Sequence, residues 1–537
     1  MRLLPSLAAL TFLIGPAFAQ NATLTVVHGV PGLPEAVDVF ANGSQLFSFC
    51  FEEQRGPLSL PAGTYAVDVR LFGATVLSQS FTLAAGDDVS VAAHLDANGA
   101  PRLSAFVNDS AALALPAARV AVRHAAEAPA VDVAFFVGGN EVLTIPGLSN
   151  GSQAAADVPP GTYDVALRVA GTATVAFGPV PVTVKDGVRY GVFAVGEVGT
   201  SNFGLLVQQD PLAAFVRSME GLQFPGLDPS LWIDGALAFD YASLVEGPIA
   251  VAPGARTVEV RVQNGQTTLL SNVVNFARGD DLELLPHLGF GTLFRFGEFA
   301  NDVSALQLAS NARVTVRHLA LAPTVDVIVT KGGAPFATLA GLSNGDEVSV
   351  EIPGGAYEVA IAPAGTTTPV FGPVPLVFAA RTSTIAQALG TLGSSFTVGV
   401  DSIDLAGVTQ PSELLARSFG SSCGPRIASS KSCFQFGESF DVTIENGFAN
   451  SGAVLVWGGT LALPLDATHF GAPGCFFYVD PRVLEVLPLD ATGRTQRTFR
   501  VPATLAGSLS PVWLQAIVPS TNALHLATSE ALVISRN

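Results

Sequence analysis

A short polar signature returns along this chain about every hundred residues, always inside alternating apolar stretches. It consists of a strand ending in His, a Val-Asp-Val strand and a Gly-x-Tyr turn. The clearest copy runs from His124 through Val131-Asp132-Val133 to Gly161-Thr162-Tyr163. A second runs from His318 through Val325-Asp326-Val327 to Gly355-Ala356-Tyr357, and an earlier one from His28 through Val37-Asp38-Val39 to Gly63-Thr64-Tyr65. A unit of that length holds its own core, so the chain reads as tandem small domains.

Within each unit the hydrophobic period is two. In Ala118 to His124, Val120, Val122 and His124 share one face, with Arg119, Ala121 and Arg123 on the other. Turn pairs such as Asn42-Gly43, Gly138-Gly139 and Asn150-Gly151 punctuate the runs. Only 13% of residues are charged against 49% hydrophobic, with 54 Gly and 36 Pro, which favours short strands and tight turns over long amphipathic helices. The fold class expected is all-β: tandem immunoglobulin-like β-sandwich domains with a distinct C-terminal β domain. The boundaries expected are 20–115, 116–210, 211–310, 311–410 and 411–537. The third unit keeps the apolar pattern but loses the signature, with Ser218, Ser230 and Thr257 read in place of His, Asp and Tyr.

Residues 1–19 have the form of a secretory signal: Arg2, an apolar run from Leu3 to Ile14, and Ala17-Phe18-Ala19 before Gln20. That run is too short to cross a bilayer core of roughly 30 Å, and no later stretch is longer, so no membrane span is expected. The expected location is outside the cell or at its surface. A formal charge of −18 argues against nucleic acid as partner. Export allows disulfides. Cys50 stands alone in the first repeat, while Cys423, Cys433 and Cys475 cluster near the end and allow one local pair, Cys423 with Cys433 or with Cys475.

The His, Pro-x-Val-Asp-Val, Gly-Leu-Ser-Asn-Gly (Gly147 to Gly151 and Gly341 to Gly345) and Pro-x-Gly-x-Tyr elements resemble the secreted bacterial repeats of domain of unknown function 4397. That resemblance implies an exported β-sandwich and transfers no catalytic residue. The last 120 or so residues are similar to a C-terminal domain common in exported proteins of planctomycetes and related bacteria, through Gly-x-x-Cys-Gly, Gly-Cys-x-x-Tyr-Val and Ala-Thr-Ser-x-Ala-Leu. Cys433 is an addition to that pattern, so the partner of Cys423 stays open.

His124, Asp132 and Ser149 contain the groups of a hydrolase triad, but no Gly-x-Ser-x-Gly elbow presents a nucleophile. The expectation is structural: His and Asp satisfy each other or backbone groups, and Tyr65, Tyr163 and Tyr357 act as tyrosine corners. No His-x-His or ordered Asp-x-Asp-x-Asp-Gly pattern occurs, so neither a metal site nor a cofactor is expected. The function expected is non-enzymatic, structural or adhesive, toward an extracellular or envelope protein or polysaccharide. The alternatives are a carbohydrate- or calcium-dependent binding module, and a hydrolase using a repeat His/Asp pair.

Overall fold

Strands of five to ten residues, separated by Gly and Asn turns, build the first repeat in the order β1 (Ala22–Gly29), β2 (Val37–Ala41), β3 (Ser44–Phe49), β4 (Gln54–Leu60), β5 (Gly63–Leu71), β6 (Ala74–Leu83), β7 (Asp88–Leu95) and β8 (Pro101–Val107). The computed structural model describes residues 21–33, 35–222, 228–241, 244–263, 265–289, 292–405, 412–506 and 508–537. The secretory signal read over residues 1–19 lies outside the described residues. Two four-stranded sheets form, β4-β1-β7-β8 and β3-β2-β5-β6. β1 runs parallel to β7 and antiparallel to β4. Alternate residues Leu24, Val26, Val37, Val39, Val67, Val69, Val91 and Ala93 meet between the sheets, as the two-residue period requires.

Repeats 2, 3 and 4 reproduce this order. The β4-β1-β7-β8 sheet, here called the inner sheet, recurs around Ala118–Glu127 and Val188–Glu197 in repeat 2. In repeat 3 it holds Ala214–Met219 beside Asp281–Gly289, and in repeat 4 Asn311–His318 beside Thr382–Leu389. The inner sheets then pack back to back in pairs. Val27, Ala92 and Phe106 of repeat 1 meet Ala125, Phe193, Val195 and Leu206 of repeat 2 in one buried cluster. Met219 and Leu285 of repeat 3 meet Leu319 and Leu389 of repeat 4 in another. Val188–Glu197 is buried on both faces for this reason.

The second members of the two pairs match in spacing. Arg123 and Arg317 are 194 residues apart, as are Asn150 and Asn344, so the duplicated unit is a two-domain block. Register also relocates two positions of repeat 3. Gly29 pairs with His94 and Gly221 with His287, so Glu220, not Ser218, stands where His28 does. Gly254 pairs with Phe276 as Gly63 does with Leu83, so Arg256, not Thr257, takes the tyrosine position. Ser230, opposite Arg261, does occupy the aspartate position that Asp38 fills opposite Arg70.

The C-terminal domain is a sandwich of another build. A six-stranded sheet runs Cys433–Phe434, Leu414–Phe419, Leu526–Arg536, Val512–Pro519, Gly452–Asp466, Phe476–Pro488 and faces a three-stranded one. Leu414, Phe434, Phe440, Leu455 and Leu532 fill the space between. Cys423 bonds to Cys475 within this domain. Cys433 bonds to Cys50 of repeat 1, across 383 residues, and so ties the two ends of the described chain together.

Candidate functional site

The signature histidines lie in the C-terminal half of β1 or its counterpart and are buried, at 1% exposure for His28 and 2% for His124 and His318. His124 Nε2 donates to Pro129 O at 2.9 Å and His318 Nε2 to Pro323 O at 3.0 Å. His28 Nδ1 accepts from the Val30 amide at 3.3 Å, with its ring 5.2 Å from that of Phe49. Burial holds the His28 pKa down, at about 4, and lowers that of His124.

The aspartates bind backbone. Asp132 Oδ1 accepts from Gly147 N at 2.7 Å and Oδ2 from Gly171 N at 2.8 Å. Asp326 does the same with Gly341 N and Gly365 N, both at 2.8 Å. Each carboxylate thus clamps two glycine turns, and those bonds pull the Asp132 pKa below the ordinary value. Asp38 differs: it accepts from Ser48 Oγ at 2.5 Å and pairs with Arg417 of the C-terminal domain at 2.6 Å. No His of the signature bonds to its Asp. Ser149 Oγ lies 3.4 Å from Ser152 Oγ and bonds to neither, so the three groups of the imagined triad stay apart.

The tyrosines bond four residues back: Tyr65 to Pro61 O at 2.7 Å, Tyr163 to Pro159 O at 2.8 Å, Tyr357 to Pro353 O at 2.6 Å. Arg256 in repeat 3 reproduces this with Nε to Ala252 O at 3.2 Å. These are tyrosine-corner contacts, and one is made by a guanidinium.

The Gly-Leu-Ser-Asn-Gly loops join domains. Asn150 Nδ2 donates to Leu95 O of repeat 1 at 2.9 Å and to Ala126 O at 2.7 Å. Asn344 Nδ2 donates to Leu288 O of repeat 3 at 2.9 Å and to Ala320 O at 2.8 Å. Leu95 O also accepts from His94 Nδ1 at 2.8 Å. Sequence reasoning did not single out His94, or its counterpart His287, whose Nδ1 donates to Leu288 O at 3.1 Å. Only their place 193 positions apart, from 94 to 287, could have flagged them.

Beside these loops, buried arginines cross each junction. Arg123 is fully buried, 4.7 Å above the Phe193 ring, and bonds to Asn108 and Ser90 of repeat 1. Burial lowers its pKa to about 10, so it stays charged near neutrality. Arg317 is buried likewise, bonding to Asn301 Oδ1 at 2.7 Å and lying 3.5 Å from Glu283, also fully buried. Burial raises Glu283 to about 7. Among the described residues no group of three His, Cys, Asp or Glu could hold a metal ion, and no helix is long and apolar enough to cross a membrane.

Residues 22–134 match a Domain of unknown function (DUF4397). The DUF4397 match covers all of repeat 1 and runs on through the first junction into strand Val131–Val137 of repeat 2. No curated protein matches the chain. Among solved structures, the Bacillus anthracis TIE protein aligns at 10% identity and TM-score 0.11, over 69% of this chain and 66% of that one. Trypsin-activated alpha-2-macroglobulin of Escherichia coli aligns at 8% identity and TM-score 0.16, over 96% of this chain and 41% of that one. A Salmonella alpha-2-macroglobulin mutant aligns at 12% identity and TM-score 0.12, over 99% and 40%. This chain therefore spans under two thirds of each, and likeness at that level says nothing about its fold or role.

Proposed function

We propose that the protein is an exported, non-enzymatic structural or adhesive protein of the bacterial envelope or its surroundings, acting on an extracellular protein or polysaccharide. The observation that supports this best is the use of Asp132 and Asp326, whose four carboxylate oxygens each take a glycine amide. Groups committed to holding turns are poor candidates for general base or metal ligand. Two disulfides among the described residues suit an oxidising compartment. A negative surface suits solubility there.

The reading differs from a string of independent modules, because the repeats share buried junctions and avidity would come from a rigid array. The test is to incubate labelled protein with envelope fractions and, in parallel, with ester, glycoside and peptide substrates. Saturable binding without turnover is expected. Turnover that disappears in His124→Ala or Asp132→Asn would overturn the proposal in favour of a hydrolase.

A further inference from the structure

A crevice with a volume of about 600 Å³ lies between repeat 4 and the C-terminal domain. Arg381 and Arg500 both line it, beside Ser310, Gln435, Phe436 and Glu438. Acidic residues outnumber Lys and Arg by 44 to 26, so most arginines of this chain can find a carboxylate. These two do not. Among the described residues the Arg381 guanidinium has no hydrogen bond or ion pair, and Arg500 uses only Nε, toward Gly437 O at 2.5 Å. The nearest acid, Glu413, feels the charge of Arg381 but accepts from Ala309 N and Phe436 N instead.

Arg381 is also out of place by backbone. Its amide bonds to Asn311 O just as Gly86, Gly187 and Gly279 bond to Asn21, Ala117 and Ala213 in the sister repeats. Those glycines have φ of 82°, 72° and 83°; Arg381 holds φ 61° with a full side chain. Left-handed backbone favours glycine. A strained non-glycine residue that faces an open crevice is a reason to look for function there.

We infer that this crevice binds a carboxylate-bearing saccharide. Two guanidinium groups without a carboxylate partner suit a carboxylate. Ser310 Oγ is buried without a partner, and the Glu438 carboxylate also lines the space. Both accept from hydroxyl groups, which a sugar acid has and a bare oxyanion lacks. Phe436 and Pro502 supply apolar wall for ring faces. The volume falls within the ~300–1,000 Å³ of small-ligand sites. The inference deepens the adhesive reading by naming a ligand class, and it rests on that reading only for where the ligand would be met.

The test is calorimetric titration of the full chain with trigalacturonate, neutral maltotriose and sodium sulfate. Saturable binding of trigalacturonate and none of maltotriose is expected. Arg381→Gly restores the glycine of the sister repeats and so keeps the fold, and it should weaken trigalacturonate about tenfold or more, as should Arg500→Gln. The exposed Arg482→Gln should leave affinity unchanged. Absence of saturable binding, affinity unchanged from the parent protein in both crevice variants, or sulfate binding as tightly as trigalacturonate would each overturn the inference. Trigalacturonate binding without envelope binding would sink the adhesive reading alone; the converse would sink this one alone.

Discussion

At the scale of the residue, the signature is a set of local staples. Tyr163→Phe deletes one buried hydroxyl-to-carbonyl bond and should cost about 1 kcal/mol, read as a lower unfolding midpoint of repeat 2 in denaturant. Unchanged stability would mean that the Tyr163 ring carries the role. The histidines make a pH prediction. His28 and His94 are each held at about 4 by burial, against 6.5 when exposed. Their contribution is therefore complete above 6.5 and is lost as pH falls toward 4, on the order of 3 kcal/mol for each. Amide exchange at Ala93 and His94 should quicken between pH 7 and 4.5; constant protection after correction for intrinsic rates would refute this. Residue types were legible here; whether His and Asp would meet each other or the backbone was not, and Asp38 turns to Ser48 and Arg417 instead. Register was not: Ser218 and Thr257 were matched to the signature by neighbouring residue type, whereas the ladder pairs fix Glu220 and Arg256 in those places. That an arginine can make a tyrosine's bond could not be read from spacing.

At the scale of the element, the loop after β3 and its counterparts dock domains. Asn150→Ala would remove the side-chain donor that joins Leu95 O of repeat 1 to Ala126 O of repeat 2 and loosen the junction of repeats 1 and 2 by about 2 kcal/mol. Asn344 serves as the internal control, since exchange across the second junction should stay the same. The junctions also differ in charge. Ser90 sits where repeat 3 places Glu283, each four residues before its repeat's His94 or His287, with Arg317, Arg217 and Asp401 around Glu283. Glu283 is raised to about 7 from 4.5, so its contribution is present below 4.5 and is lost as pH rises through 7. Glu283→Gln should thus make the second junction more stable at pH 8, measured by thermal unfolding; a loss at that pH would show that the ion pair with Arg317 outweighs desolvation. The strands were readable from alternation. The pairing of inner sheets was not, because alternation tells which face meets the core but not what covers the other. A signal was present in Val188–Glu197, whose run of apolar residues leaves no wet face.

At the scale of the whole molecule, the decisive contact joins the first repeat to the last domain. Cys50 occupies the loop position that Ser149 and Ser343 hold in the docking loops, and spends it on Cys433. Beside it stand the Arg417–Asp38 pair and the Asn537 side-chain bond to Ser48 O at 3.2 Å. A partly exposed ion pair of this kind adds about 0–1 kcal/mol, while closing so long a loop removes on the order of 5 kcal/mol of chain entropy from the unfolded state. Cys433→Ser should therefore enlarge the radius of gyration in solution scattering; an unchanged profile would show that the polar contacts suffice. Nothing near Cys50 in sequence points to position 433, since a bond between distant domains leaves no spacing to read. Its mechanical consequence is direct. A pull applied at the two ends of the chain enters through residues near Cys50 and leaves through residues near Cys433, so the bond shunts tension past repeats 2, 3 and 4. Stretched between a bead and a surface, the oxidised protein should lengthen only by its end segments. Reductant should then release the sequestered 383 residues, about 130 nm of contour.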